Sequence, residues 1–194
     1  MIKTLSSEDI ESEDIDSMAT AIQPSLSETQ IVDDYGGSVY RFCRSLTYTV
    51  DDAEDLYQDT FLNAFTQMKK VERAKNPQGF LLSTAAFLWK SQRRKYARRN
   101  RLAPETGIDA YTNIGIAGGN VEDGLLTSEE RDVVRSLVDD LPEKLKLPIV
   151  LYYTNEMRIA EIASILKLPA GTVMSRLYKA CKLIEKGLIL KYGY

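Results

Sequence analysis

Apolar residues in this chain recur mostly at intervals of three and four. Val39, Phe42, Cys43 and Leu46 stand at i, i+3, i+4 and i+7, the spacing of one face of an amphipathic helix. The helical pattern extends from about Ile31 to Met68. A second helix is predicted to open at Asp51 or Asp52, acceptable N-caps followed by further acids that complement the helix dipole. It carries Leu56, Phe61, Leu62, Phe65 and Met68. Asn76-Pro77 is a turn signal, and a third helix is predicted from about Gln78 through the stretch WKSQRRKYARRNR, residues 89–101. Within it Phe87 and Trp89 are both candidates for the core, Phe87 the stronger of the two.

The period fails over residues 103–124, which hold five glycines and little charge pattern, so this segment reads as a linker. Twenty-two residues have a contour of about 75 Å and a flexible span of about 26 Å. The helical pattern resumes at about Leu125. Ile159, Ile162, Ala163 and Leu166 form one apolar face. Leu168-Pro169-Ala170-Gly171 interrupts it, with Pro169 suited to the first turn of the next helix. Val173, Leu177, Ala180 and Ile184 then recur at i, i+4, i+7 and i+11. Two short helices joined by a tight turn, with the small Ala163 where they approach, describe a helix-turn-helix. Its second helix exposes Thr172, Ser175, Arg176, Lys179 and Lys182, groups suited to phosphates and base edges. An ordinary helical hairpin with a solvated basic face has the same outline. No alternating Val/Ile/Thr-rich run bounded by turns occurs, so the expected fold class is all-α. It comprises an acidic tail (1–30), a helical domain (31–102), the linker (103–124) and a second helical domain (125–194).

Charge sharpens this picture. The chain carries a formal net charge of -3, yet residues 89–101 contain seven cations and no acid. A membrane-surface helix needs a wide apolar face, and beyond Lys90 this stretch offers only Tyr96 and Ala97. A merely solvated face would mix signs. What remains is a track for nucleic acid, with Lys90, Arg93, Arg94 and Arg98 neutralising phosphates and Trp89 and Tyr96 available to stack on exposed bases. The acidic tail reads first as a solubilising segment and second as a tethered anion for a basic surface.

Composition removes other classes. The chain has no histidine, which excludes a His general base and a usual zinc site. It has no phosphate-binding loop and no acidic calcium loop. No catalytic residue, metal or cofactor is expected, and an enzyme is the weak hypothesis. Cys43 and Cys181 are far apart, as free thiols in a reducing compartment would be. The longest apolar runs are too short to span a bilayer, and the acidic N-terminus is unlike a secretion signal. A cytoplasmic protein without membrane insertion is expected.

Three segments carry a family resemblance. LPEKLKLPIVLYYTNEMRIAEIASILKLPAGTVMSRLYKACKLI (141–184) resembles region 4, the promoter-recognising domain of bacterial extracytoplasmic-function (ECF) sigma factors. DDAEDLYQDTFLNAF (51–65) resembles region 2.2 of that family, and NPQGFLLSTAAFLWKSQRRKYARRNR (76–101) falls where regions 2.3 and 2.4 melt and read the −10 element. The resemblance implies that Asp55, Gln58, Asp59 and Phe61 contact the β′ clamp helices of core RNA polymerase. It implies that the 172–182 helix reads a −35 element and the 80–101 helix opens and holds the −10 element. It also implies promoter DNA and an anti-sigma factor as partners. Read without the family, the acidic 51–65 helix is in the first place a solvated face whose acids complement the helix dipole. Other classes are a dimeric helix-turn-helix regulator acting without polymerase, and a protein-interaction module. Three departures from the family pattern stand out: Lys167 where the turn usually has Gly, Arg158 where Ser or Thr usually opens the first helix, and Met174 where Lys is frequent. Two domains bound two helical turns of DNA apart need about 70 Å between centres, which the linker and the domains' own dimensions can span together.

Overall fold

The computed structural model describes residues 27–102 and 128–193, and every regular element in them is a helix. Most of the acidic tail and the whole 103–124 linker lie outside the described residues. The first helix, α1 (Glu28–Leu46), begins three residues before the expected start. The reason is a cap: Ser27 Oγ accepts from Gln30 N–H at 3.1 Å and Gln30 Oε1 accepts from Ser27 N–H at 3.0 Å, a reciprocal capping box. Helix α2 (Val50–Phe65) is capped by Thr49, whose hydroxyl accepts from Asp52 N–H at 3.0 Å. Asp51 and Asp52 therefore sit inside the first turn rather than at the cap. The apolar pattern through Met68 conceals a break at Thr66-Gln67, after which a short α3 (Met68–Glu72) follows. Helix α4 (Pro77–Leu102) starts with proline in its first turn, and Asn76 Oδ1 accepts from Gly79 N–H at 2.8 Å.

The face Val39, Phe42, Cys43 and Leu46 of α1 is buried to 1% exposure or less. It meets Ala53, Leu56 and Ala64 of α2 and Leu81, Leu82 and Ala85 of α4, so three helices share one core. Each fully buried large side chain there contributes about 1.5–3 kcal/mol.

The second bundle comprises α5 (Ser128–Asp139), α6 (Glu143–Tyr153), α7 (Ile159–Leu166) and α8 (Ala170–Tyr192). Helix α8 is its spine, contacting α5, α6 and α7. Where α5 crosses it, a Cβ on Gly187 would run into the Leu137 side chain, so glycine sets that approach. The two bundles touch along α4–α7 and α1–α6. Among the described residues no helix is long and apolar enough to cross a membrane.

Candidate nucleic-acid interface

The turn between α7 and α8 fixes the first candidate surface. Lys167 takes a left-handed conformation (φ 53°, ψ 51°), which costs a residue with a Cβ about 1–2 kcal/mol. Leu168 N–H then bonds to Ala163 O at 2.9 Å and closes the α7 terminus. At the other end of α7, Arg158 supplies no capping oxygen. Glu161 compensates in part, its carboxylate accepting from Arg158 N–H at 2.8 Å. Val173 and Ala180 are buried and Leu177 and Ile184 half-buried, so the expected stripe roots α8 in its bundle.

The opposite side of α8 presents Ser175, Lys179 and Lys182, all exposed, with Thr172 half-buried at its start. Ser175 Oγ donates to Thr172 O at 3.0 Å. Lys182 pairs with Glu185 at 2.6 Å on open surface, and this hydrogen bond raises its pKa above the usual lysine value. Arg176 differs from its expected companions: it is half-buried and lines a groove shared with Lys90 of α4. Met174, noted above only as a departure from the family pattern, and Tyr178, which sequence reasoning passed over, are 52% and 67% exposed on this helix. Their signal was legible, since neither falls on the Val173–Leu177–Ala180–Ile184 stripe.

Helix α4 divides along its length. Leu82, Ala85, Ala86 and Trp89 form a buried stripe, whereas from Gln92 to Arg99 every side chain is exposed. Trp89, available for stacking with the core as its alternative, is only 4% exposed and so takes the core position. It continues the stripe at i+7 from Leu82, its indole N–H donates to Leu46 O at 3.1 Å, and the Arg93 guanidinium lies 5.1 Å from its ring centroid. Phe87, expected in the core, is off the stripe and 63% exposed. Of the two core candidates, the weaker, Trp89, is thus the buried one in this conformation. Arg93, Arg94, Tyr96 and Arg98 are exposed, and Lys90 is half-buried. A groove of about 530 Å³ runs between this basic half and α2, lined among others by Tyr48, Asp52, Asp55, Arg93 and Tyr96.

On α2, Asp55, Gln58 and Asp59 are exposed at i, i+3 and i+4. Phe61, expected as the apolar contact beside them, is 5% exposed. It sits in an aromatic row with Tyr57 and Phe65, at centroid distances of 4.9 and 5.7 Å. The apolar group that does share the face is Leu62, at i+7 and 64% exposed. The face abuts the basic helix: Gln92 Nε2 reaches Asp59 Oδ2 at 3.5 Å. Among the described residues, no cluster of three or more His, Cys, Asp or Glu is placed to hold a metal ion.

Comparison with known proteins covers both bundles. Residues 31–99 match the family Sigma-70 region 2, and residues 131–184 match Sigma-70, region 4. The ECF RNA polymerase sigma factor SigW of Bacillus subtilis is 28% identical over 162 residues, covering 81% of this chain and 87% of SigW. The ECF RNA polymerase sigma-E factor of Escherichia coli K12 is 25% identical over 141 residues, 69% of this chain and 72% of that one. In fold, the chain is similar to the sigma factor RpoE of Bartonella quintana, solved with the anti-sigma factor NepR (TM-score 0.69, 22% identity, 82% of this chain and 95% of that one). It is also similar to CnrH, solved with the cytosolic domain of CnrY (TM-score 0.59, 20% identity, 89% and 93%).

Proposed function

The chain belongs to the sigma-70 family as an ECF sigma factor, which directs RNA polymerase to promoters, and within that role we propose a division of labour among three helices. Helix α8 reads the −35 element with Thr172, Ser175, Lys179 and Lys182, and Arg176 joins them once it is free of the groove. The basic half of α4 holds the opened −10 strand through Lys90, Arg93, Arg94 and Arg98, with Tyr96 as a stacking platform. Helix α2 docks on the polymerase clamp helices through Asp55, Gln58, Asp59 and Leu62. Phe61 serves this contact from beneath, by holding α2 on its core.

The observation that carries the reading is the α2 face: two carboxylates and an amide stand on the same helix face as an exposed leucine, over the one to two turns before it. A polar rim around an apolar anchor is the make-up of a protein interface. The work is binding rather than catalysis, since affinity for the unstacked strand favours opening, and its place is the cytoplasm, with the polymerase. The RpoE and CnrH structures, each solved with a partner, support an anti-sigma factor as a further partner of this chain.

The test is reconstitution of core polymerase with the full chain and run-off transcription from selected promoters. Asp55→Arg with Asp59→Arg should abolish polymerase association at native helicity, because both charges face a basic partner. Leu62→Ala should weaken it. Full association by the double variant would make the acidic helix only a solvated face.

A further inference from the structure

Helix α8 carries two large apolar side chains that its bundle does not use. Met174 and Tyr178 stand at i and i+4 and are both exposed, while Val173, Leu177 and Ala180 root the helix. Burying the pair in the same bundle would require turning α8 about its axis and lifting that stripe out of the core. At 3.6 residues per turn, Tyr178 lies one turn after Met174 and one turn before Lys182. Ser175 and Lys179 each follow a member of the pair in sequence, so Met174 and Tyr178 form one flank of the reading face. The flank ends a turn further on at Cys181, whose Sγ lies 3.8 Å from the Tyr153 hydroxyl of α6.

Two observations say what covers this flank. The first is charge: from Ala170 to Ile184 the helix has three cations, Arg176, Lys179 and Lys182, and no acid. Such a setting attracts a polyanion. The second is continuity, since the pair lies on the helix that reads duplex DNA and in the half nearer its N-terminus, the part that reaches base edges in the major groove. The apolar feature that base edges present there is the 5-methyl group of thymine. A thioether and a phenol ring can bury such a methyl. Neither can make the bidentate hydrogen bonds by which Arg reads guanine or Asn reads adenine.

We propose that Met174 and Tyr178 are a methyl reader, which gives the −35 element of this chain a requirement for thymine. The proposal rests on α8 as the −35 reader and adds a base identity to it. The two residues are about 6 Å apart along the helix axis and successive base pairs about 3.4 Å apart, so the thymines they read are one or two base pairs apart. Met174 also stands where Lys is frequent in the family. A neutral side chain there exchanges a phosphate contact, which is blind to sequence, for a base contact, which is not.

The test removes the methyl and nothing else. Core polymerase reconstituted with the full chain selects promoter duplexes from a pool randomised over the −35 element. Each thymine of the enriched element is then replaced by deoxyuridine, which keeps the base pair and its hydrogen-bonding groups. One or two of these replacements should each weaken holoenzyme binding about fourfold, the worth of burying one methyl-sized group. Met174→Ala and Tyr178→Ala, at unchanged helicity, should bind the thymine and deoxyuridine duplexes alike at the position each residue reads. Met174→Lys should do the same at its position and raise the magnitude of the salt slope by about 0.9. Enriched elements without thymine, deoxyuridine tolerated at every position, or alanine variants that keep the full methyl dependence would each overturn the methyl reader. So would alanine variants with unchanged affinity for the thymine duplex, which would assign the flank to a protein partner. An active holoenzyme that enriches no −35 sequence would overturn α8 as promoter reader as well, whereas enrichment without methyl dependence overturns the methyl reader alone.

Discussion

Helices α4 and α8 both present cations to solvent, but they separate buried from exposed surface along different axes. In α4 the separation runs lengthwise: Leu81 to Trp89 is rooted in the core, and Gln92 to Arg99 projects from it. In α8 it runs around the circumference, with the Val173–Ile184 stripe on one side and Ser175, Lys179 and Lys182 on the other. A projecting helix end offers charge on every side but the one facing α2, which suits a flexible single strand whose phosphates need no fixed register. A half-buried helix offers one face at a fixed angle, which suits entry into a duplex groove. Similar residue types thus serve two kinds of nucleic-acid surface through the way each helix is anchored.

The sharpest way to break this comparison is to exchange two of the α4 aromatics, Trp89 and Tyr96, for alanine. Trp89→Ala empties a site at the foot of the projecting end and should cost about 3–5 kcal/mol in urea unfolding. Tyr96→Ala, on the projection itself, should change stability by less than about 0.5 kcal/mol and weaken single-strand binding by about 1–3 kcal/mol. Equal stability losses would mean that α4 is not divided lengthwise.

Salt dependence separates the helices next. Arg94→Ala with Arg98→Ala should reduce the magnitude of the salt slope for single-stranded −10 DNA by about 1.4, and Lys179→Ala should reduce that for −35 duplex by about 0.9. Lys182→Ala should have a smaller effect, because Glu185 already holds its charge at 2.6 Å. Affinity titrations across a salt series measure all three, and an unchanged duplex slope for Lys179→Ala would remove that residue from the phosphate contacts.

The smallest effect concerns how α8 acquires its angle. Lys167 pays for a left-handed backbone that glycine adopts freely, although glycine loses more entropy on folding. Lys167→Gly should therefore stabilise the chain by about 0.5–1 kcal/mol with −35 affinity unchanged, as thermal unfolding and duplex binding would report. A loss of stability would mean that the lysine side chain contributes more than its backbone costs.

Much of this was legible in the residues themselves. The stripes of α1 and α8, a break between α7 and α8, the seven-cation stretch and the absence of strand patterns among the described residues follow from local spacing, because a helix repeats every 3.6 residues whatever surrounds it. The break itself falls at Lys167 to Pro169, with Pro169 at the cap rather than in the first turn and Ala170 and Gly171 already inside α8. Boundaries were less legible. Ser27 and Thr49 captured helix starts that acidic neighbours also suited, and the break at Thr66-Gln67 was hidden by apolar residues on both sides.

What spacing could not determine was which of several apolar residues faces inward when helices from distant parts of the chain meet. Phe61 and Leu62 are adjacent, and both are large and apolar; packing on Tyr57 and Phe65 buries the first and leaves the second exposed. Phe87 and Trp89 were separated by the position of the α1 terminus, whose Leu46 carbonyl takes the indole proton. Lys146 reads as an ordinary surface lysine until α1, α4, α5 and α6 converge on it. The sequence by itself determined the helices, their two groups and the sign of each surface, because these depend on neighbours within a few residues. The tertiary structure decided burial and pairing, because these depend on contacts made across about a hundred residues, as between Leu46 and Lys146.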